Sequence, residues 1–347
     1  MVIIGCDFHV GFQQVALLDS ESGEVGELQL GHREQARQFY AGLRGAVRVG
    51  MEACGYSRWF ERMLAEMGHE LWVGDASQIR ASARRKQKTD RRDAQHLLGL
   101  LTEGRFPRIW VPSPEERDVR QLLLHRHSQV RERTRVKNQL QAMALNEGLR
   151  LKRKLWSQEG QRQLALLPLP PFQARWREEL LARLEELDGQ VKASDKLVER
   201  EAAQRPAVQL LRTHPGVGPV LGLAFVVTVG PVERFGRARQ LASYFGLIPS
   251  EHSSGERRRL GRISKQGNPL LRFLLVEAGQ SAVRKDPQLR QAYGRIARKR
   301  HRAVAKVAVA RKLALRMYWM LRRQVGYPAV LEPGPVQASP SHSVVER

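Results

Sequence analysis

The chain has 347 residues, long enough for two or three domains that each bury a core. Its 59 Lys and Arg against 35 Asp and Glu give a formal net charge of +24, which points to a polyanionic partner, most simply nucleic acid. Two cysteines exclude a disulfide framework, no apolar stretch is long enough to cross a membrane, and no secretory signal opens the chain, so a reducing cytoplasm is expected.

Residues 2–7 and 13–19 read as strands. A turn at Glu21-Ser22-Gly23-Glu24 leads to a third over 25–30, and the three make an antiparallel meander. Helical spacing follows over 33–43, with Ala36, Phe39, Tyr40 and Leu43 on one side. Residues 47–53 form the next strand. Residues 56–67 form a helix with Trp59, Phe60, Met63 and Leu64 inward, stopped at Gly68, and residues 70–73 a fifth strand. A helical stretch opens near Asp90. Three strands, helix, strand, helix, strand, helix is the order of an RNase H-like fold.

Four carboxylates fall where such a fold holds divalent metal. Asp7 ends the apolar run 2–6, and Glu52 ends the run 47–51. Asp90 and Asp93, three apart, share one helix face. Hard oxygen ligands suit Mg²⁺ (or Mn²⁺), and paired ions suit in-line displacement at phosphorus, so the set predicts an enzyme that cuts nucleic acid. Cys6 and Cys54 lie within two residues of these acids and read as small core residues rather than ligands. The basic run in residues 84–93 is either a solvated helix terminus or a grip on the substrate backbone.

Ser113-Pro114-Glu115-Glu116 opens a long charged helix, expected to reach Asn146. A second is expected over 172–203, with Leu180, Leu181, Leu184 and Leu187 on one side and residues 167–171 in the connector. The pair reads as an antiparallel arm or coiled coil, suited to oligomerisation or spacing. Residues 206–328 read as a helical domain. The tail over 329–347, rich in Pro and Ser from Glu332, is expected to be disordered. The expected domains are therefore 1–112, 113–205 and 206–328, then the tail. Charge divides with them: 15 Lys/Arg against 14 Asp/Glu in residues 1–114, but 20 against 2 in residues 257–325.

Two motifs in the basic half carry further chemistry. Residues 211–220 resemble a helix-hairpin-helix in which Gly216 and Gly218 let the turn approach a phosphate; an ordinary helix connection would read similarly. Ser253 and Ser254 precede Gly255 and then Arg257, Arg258 and Arg259, followed by Arg262, Lys265, Asn268 and Arg272. A serine in this positive loop either attacks a phosphodiester, with the arginines stabilising the pentacovalent transition state, or only donates a hydrogen bond to bound phosphate. The dense cations Arg295, Arg298, Lys299, Arg300, Arg302 and Lys306 suit backbone phosphates.

Gly5-Cys6-Asp7, Glu52, residues 88–94, Pro215-Gly216-Val217-Gly218, Ser254-Gly255 and residues 261–268 together resemble the DEDD-type transposases of bacterial insertion sequences. That family includes the pilin-gene invertase and the recombinases guided by a bridge RNA, and the resemblance spans residues 1–325. It implies a Holliday-junction-resolvase-like domain with an Asp-Glu-Asp-Asp metal site, and a transposase domain whose serine forms a phosphoserine link to DNA. By motif position the serine is Ser254, with Ser253 as the alternative. It further implies a dimer or tetramer in which the serine of one subunit joins the acids of another, a bridge RNA in some members, and action on DNA in the bacterial cytoplasm, at the nucleoid. Two competing readings are a junction-resolving endonuclease that uses water as nucleophile and a basic nucleic-acid-binding scaffold without activity.

Overall fold

A computed structural model describes residues 1–83, 89–251 and 259–332. The chain divides into two compact units, Met1–Val111 and Pro112–Arg347.

Residue alternation along β1 (Val2–Phe8) sorts the first unit into layers. The strand sits centrally in a five-stranded sheet with β2 (Phe12–Asp19), β3 (Val25–Gly31), β4 (Val47–Glu52) and β5 (Glu70–Gly74), in the order β3-β2-β1-β4-β5. The first three strands pair antiparallel, whereas β4 runs parallel to both β1 and β5. Ile4, Cys6 and Phe8 point to one face, where they pack with Tyr40 of α1 (Glu34–Gly42) and with Phe60, Met63 and Leu64 of α2 (Arg58–Glu66). Ile3 points to the other, towards Ile79 of α3 (Ala76–Ser82) and Leu97, Leu100 and Leu101 of α4 (Asp90–Thr102).

The α4 face is built on two glycines. Gly5 and Gly50 are direct partners across β1 and β4. A Cβ at Gly5 would lie 2.3 Å from the Ala94 carbonyl oxygen and 2.4 Å from the Leu98 nitrogen; at Gly50 it would lie 2.7 Å from Leu101. The missing side chains let α4 lie directly on the sheet. This part of the chain has one helix more than the sequence order predicts. Asp75 starts α3 by accepting hydrogen bonds from the Ser77 and Gln78 amides.

The second unit is helical. Its first helix, α5 (Pro114–Asn146), begins at the expected capping box: the Ser113 hydroxyl accepts from the Glu116 amide, and the Glu116 carboxylate from the Ser113 amide. It ends at the expected residue. A turn of 3₁₀ helix and the unpredicted α6 (Gln158–Ala165) lead to α7 (Pro171–Ala203). Val136, Leu140 and Met143 of α5 pack with Leu180, Leu184 and Leu187 of α7, while Leu181 is only partly covered. Further along the pair, the Ser194 hydroxyl donates to Gln129 at 2.7 Å. Val119 and Leu123 of α5 and Val198 and Ala202 of α7 belong instead to the main core. That core surrounds the almost wholly apolar α9 (Pro219–Val229) and includes α8 (Pro206–Arg212), α10 (Ala238–Tyr244), α11 (Pro269–Lys285) and α13 (Arg302–Arg323). Between α11 and α13 lies α12 (Pro287–Lys299), with Leu289 buried against Val309.

Two corrections fall in this unit. A two-stranded antiparallel ribbon, β6 (Pro249–Glu251) and β7 (Leu260–Ile263), interrupts the helices. The expected tail also begins too early: residues Ala329–Leu331 form a 3₁₀ turn whose Val330 is buried in the main core.

Candidate metal centre

The layer geometry of the first unit brings acids from separate elements to one sheet end. Asp7 lies two residues beyond Gly5 on β1, and Glu52 two beyond Gly50 on β4, so strand alternation puts both on the α4 side. Both follow Cys6 and Met51, the last pair of the β1–β4 ladder, at the C-terminal ends of parallel neighbours. The glycine contact lays α4 across β1, and its first turn carries Asp90 and Asp93. Thr89 fixes that turn by accepting from the Arg92 amide at 3.3 Å.

Among the described residues, one ligand atom each from Asp7, His9 and Asp90 lie within 4.8 Å of one another. His9 Nε2 stands 3.1 Å from Asp7 Oδ2 and 3.5 Å from Asp90 Oδ1. Burial pushes the Asp7 carboxyl above its ordinary range; His9 opposes this, and the like charges of Asp93 and Asp90 add to it. Asp93 also lines a cleft of about 360 Å³ with Ser82, Arg92, His96 and Arg105. Glu52 stands outside the three-residue cluster, and its Oε1 lies 3.4 Å from Arg80 Nη2 on α3. The sequence reading missed His9, although Asp-x-His at a strand end carried the signal: residues two apart project to the same side. Of the cysteines, Cys6 is buried and donates to the Gln13 side-chain oxygen, and neither belongs to the cluster.

In the second unit the expected nucleic-acid residues divide. Ser253, Ser254, Arg257 and Arg258 lie outside the described residues, which leave β6 at Glu251 and resume at Arg259. Residues 84–88 of the basic run over 84–93 are likewise outside them. Arg259, Arg262 and Lys265 are exposed. Asn268 is occupied as the cap of α11, accepting from the Leu271 amide at 3.1 Å. Arg272 is occupied too. Its Nη1 donates to the carbonyls of Phe245 and Gly267, each at 3.2 Å, and of Gln266, so it ties a turn together. Gly216, at φ +90°, meets α11 instead of a ligand: a Cβ there would lie 2.7 Å from the Ala278 carbonyl oxygen. Gly218 faces open space. Arg295, Arg298, Lys299, Arg300 and Arg302 are exposed around the α12–α13 turn.

Comparison with known proteins fits both units. Residues 4–147 match the DEDD transposase domain of the IS110 group, and residues 208–294 match the "Transposase IS116/IS110/IS902 family". The probable family 20 transposase of Pseudomonas aeruginosa is 29% identical over 93% of this chain and 98% of its own length. The transposase for insertion sequence element IS1111A of Coxiella burnetii is 28% identical over 81% and 78%. The y4qE protein of Sinorhizobium fredii is 30% identical over 76% and 67%. The chain belongs to the IS110/IS116/IS902 transposase family. It is therefore a DNA-cleaving and rejoining enzyme of the insertion-sequence type. Its mixed sheet and helical second unit agree with an RNase H-like DEDD transposase. The family implies a divalent metal, and the donor set fits one: hard carboxylate oxygens and an imidazole nitrogen converge at a half-buried point carrying surplus negative charge. Among the described residues, no helix of the transposase is long and apolar enough to cross a membrane.

Proposed function

We propose that the protein exchanges DNA strands in a Mg²⁺-dependent reaction that passes through a phosphoserine at Ser254. The observation that carries this reading is the convergence of Asp7 and Asp90 from β1 and α4, in a chain whose family cleaves and rejoins DNA. Asp7, Glu52, Asp90 and Asp93 would hold the ion, which when bound polarises the scissile phosphate and offsets charge developing on oxygen.

The Ser254 hydroxyl attacks phosphorus. An Oγ–P bond forms, the P–O3′ bond breaks, the serine proton is lost, and the departing 3′ oxygen takes up a proton. A 3′-hydroxyl released in this way then attacks a partner phosphoserine, restoring the serine and sealing the exchanged strand. The bond energy stays in the covalent link, so no nucleotide cofactor is required. Arg257, Arg258, Arg259 and Arg262 follow this serine closely in sequence and supply cations for the pentacovalent phosphorus. In this reading the serine of one subunit works with the acids of another in a dimer or tetramer. The exposed cations of the α12–α13 turn, Gly218 and Lys265 grip backbone phosphates of the element ends, the target and a bridge RNA.

The test is a labelled element-end DNA incubated with protein and Mg²⁺, then denatured and resolved on a gel. Wild type and Ser253→Ala should leave a covalent protein–DNA band, and Ser254→Ala should leave none. Cleavage that persists in Ser254→Ala, with no adduct, would assign the reaction to water and make the protein a junction-resolving nuclease.

A further inference from the structure

Resting on the metal centre proposed above, we propose that His9 is itself a metal ligand through Nε2. The cation is then held by one imidazole nitrogen among carboxylate oxygens, and the site prefers Mn²⁺ over Mg²⁺ more strongly than four acids alone would.

The geometry sets His9 apart from the acids around it. Its Nε2 faces two carboxylates from different elements, at 3.1 Å from Asp7 and 3.5 Å from Asp90. A hydrogen bond accounts for the first distance, but the second is long for one. Neighbouring ligand atoms on an octahedral ion with bonds of about 2.1 Å stand about 3 Å apart, which matches the first spacing and is shorter than the second. The ring is also held in advance. It stacks on Phe12 with centroids 4.6 Å apart and planes 21° apart, and the His9 amide donates to the Phe12 carbonyl at 3.0 Å to close the β1–β2 turn. An ion would therefore find this nitrogen already placed, at little ordering cost. Imidazole suits the later divalent metals, whereas Mg²⁺ favours oxygen.

The test uses the full-length protein and Mn²⁺ alone. Free Mn²⁺ is counted by electron paramagnetic resonance, and electron spin-echo modulation reports whether nitrogen is coupled to the bound ion. Wild type should show ¹⁴N coupling. His9→Ala should lose it and bind Mn²⁺ about tenfold or more weakly, the scale seen when the surroundings of a metal site are disturbed. His9→Asp should recover Mn²⁺ affinity without the coupling and narrow the preference over Mg²⁺. Its recovery also shows that the turn still folds. The proposal is overturned if Mn²⁺ binds without nitrogen coupling, or if coupling and affinity survive in His9→Ala; His9 is then only a hydrogen-bond partner of Asp7. If Mn²⁺ fails to bind, or binds equally well to Asp7→Asn and Asp90→Asn, the metal centre itself falls, and this inference with it.

Discussion

Two buried or half-buried aspartates, one in each unit, show how the same side chain is put to opposite uses. Asp286 in the helical unit is fully buried and fully answered. It caps α12 by accepting from the Leu289 amide at 2.8 Å, and Arg316 Nη1 donates to its other oxygen at 2.5 Å. Arg316 also reaches His214 and Gln288, so the cluster ties the α8–α9 turn to α12 and α13. Burial pushes the Asp286 carboxyl up, but the Leu289 amide and Arg316 outweigh it and hold the group below its ordinary range. Asp7 in the sheet unit is raised by burial, with more acids as neighbours. A carboxylate satisfied by its own fold is architecture. One left short of positive charge, at a strand end, is a place for a ligand.

The sharpest way to break this contrast is to neutralise each aspartate. Asp7→Asn should cut DNA cleavage by about a thousandfold, the equivalent of several kcal/mol of lost transition-state stabilisation, while the unfolding midpoint stays level or rises. A gel cleavage assay beside a urea melt reads both. Asp286→Ala should do the reverse in kind. It strands Arg316 and should cost the helical unit about 3–5 kcal/mol, seen as a lower urea midpoint. A stability loss in the first variant and none in the second would reverse the assignment.

The next effect concerns the glycine seat of α4. Gly5→Ala forces a methyl onto the Ala94 carbonyl and should destabilise the sheet unit by about 3 kcal/mol, with metal affinity falling as α4 lifts Asp90 away. Retained Mn²⁺ affinity would show that the close approach does not position the acids.

How much of this was legible in the sequence follows from the range of each interaction. The sheet strands, the Ser113 cap and the end of α5 rest on local alternation, capping chemistry and helical spacing, and they read directly. Asp7 and Glu52 stood out because each ends an apolar strand. The short α3 offered too little period to see. In α6, Gly160 masks the helix, and its reason lies in the turn before it: a Cβ would collide with the backbone of Lys154 and Leu155. Asn268 and Arg272 looked like phosphate contacts because sequence shows a polar or charged group but not the backbone amide or carbonyl that engages it. Nothing local announces that Asp286 meets Arg316 or that His9 meets Asp90.

Smaller effects sharpen the comparison further. Burial lowers the affinity of His214 for a proton, so the unfolded chain takes one up near about pH 6.5 while the folded chain does not. Stability of the helical unit should therefore fall as pH drops below that value, and His214→Gln should flatten that limb of a stability–pH curve. Depressed Asp286 adds a second loss on the same side, below about pH 4. Smallest of all, Arg298→Ala at the exposed α12–α13 turn should weaken DNA binding across sequences alike and reduce the salt slope by about one. An unchanged slope would remove that turn from the DNA-binding surface.

In the proposed mechanism the end of β1 and the start of α4 hold a divalent cation. Anomalous diffraction from Mn²⁺-soaked crystals tests it most directly. A peak is expected about 2–2.3 Å from carboxylate oxygens of both Asp7 and Asp90. A peak bound elsewhere, or none at that point in crystals with the sheet unit intact, would contradict it.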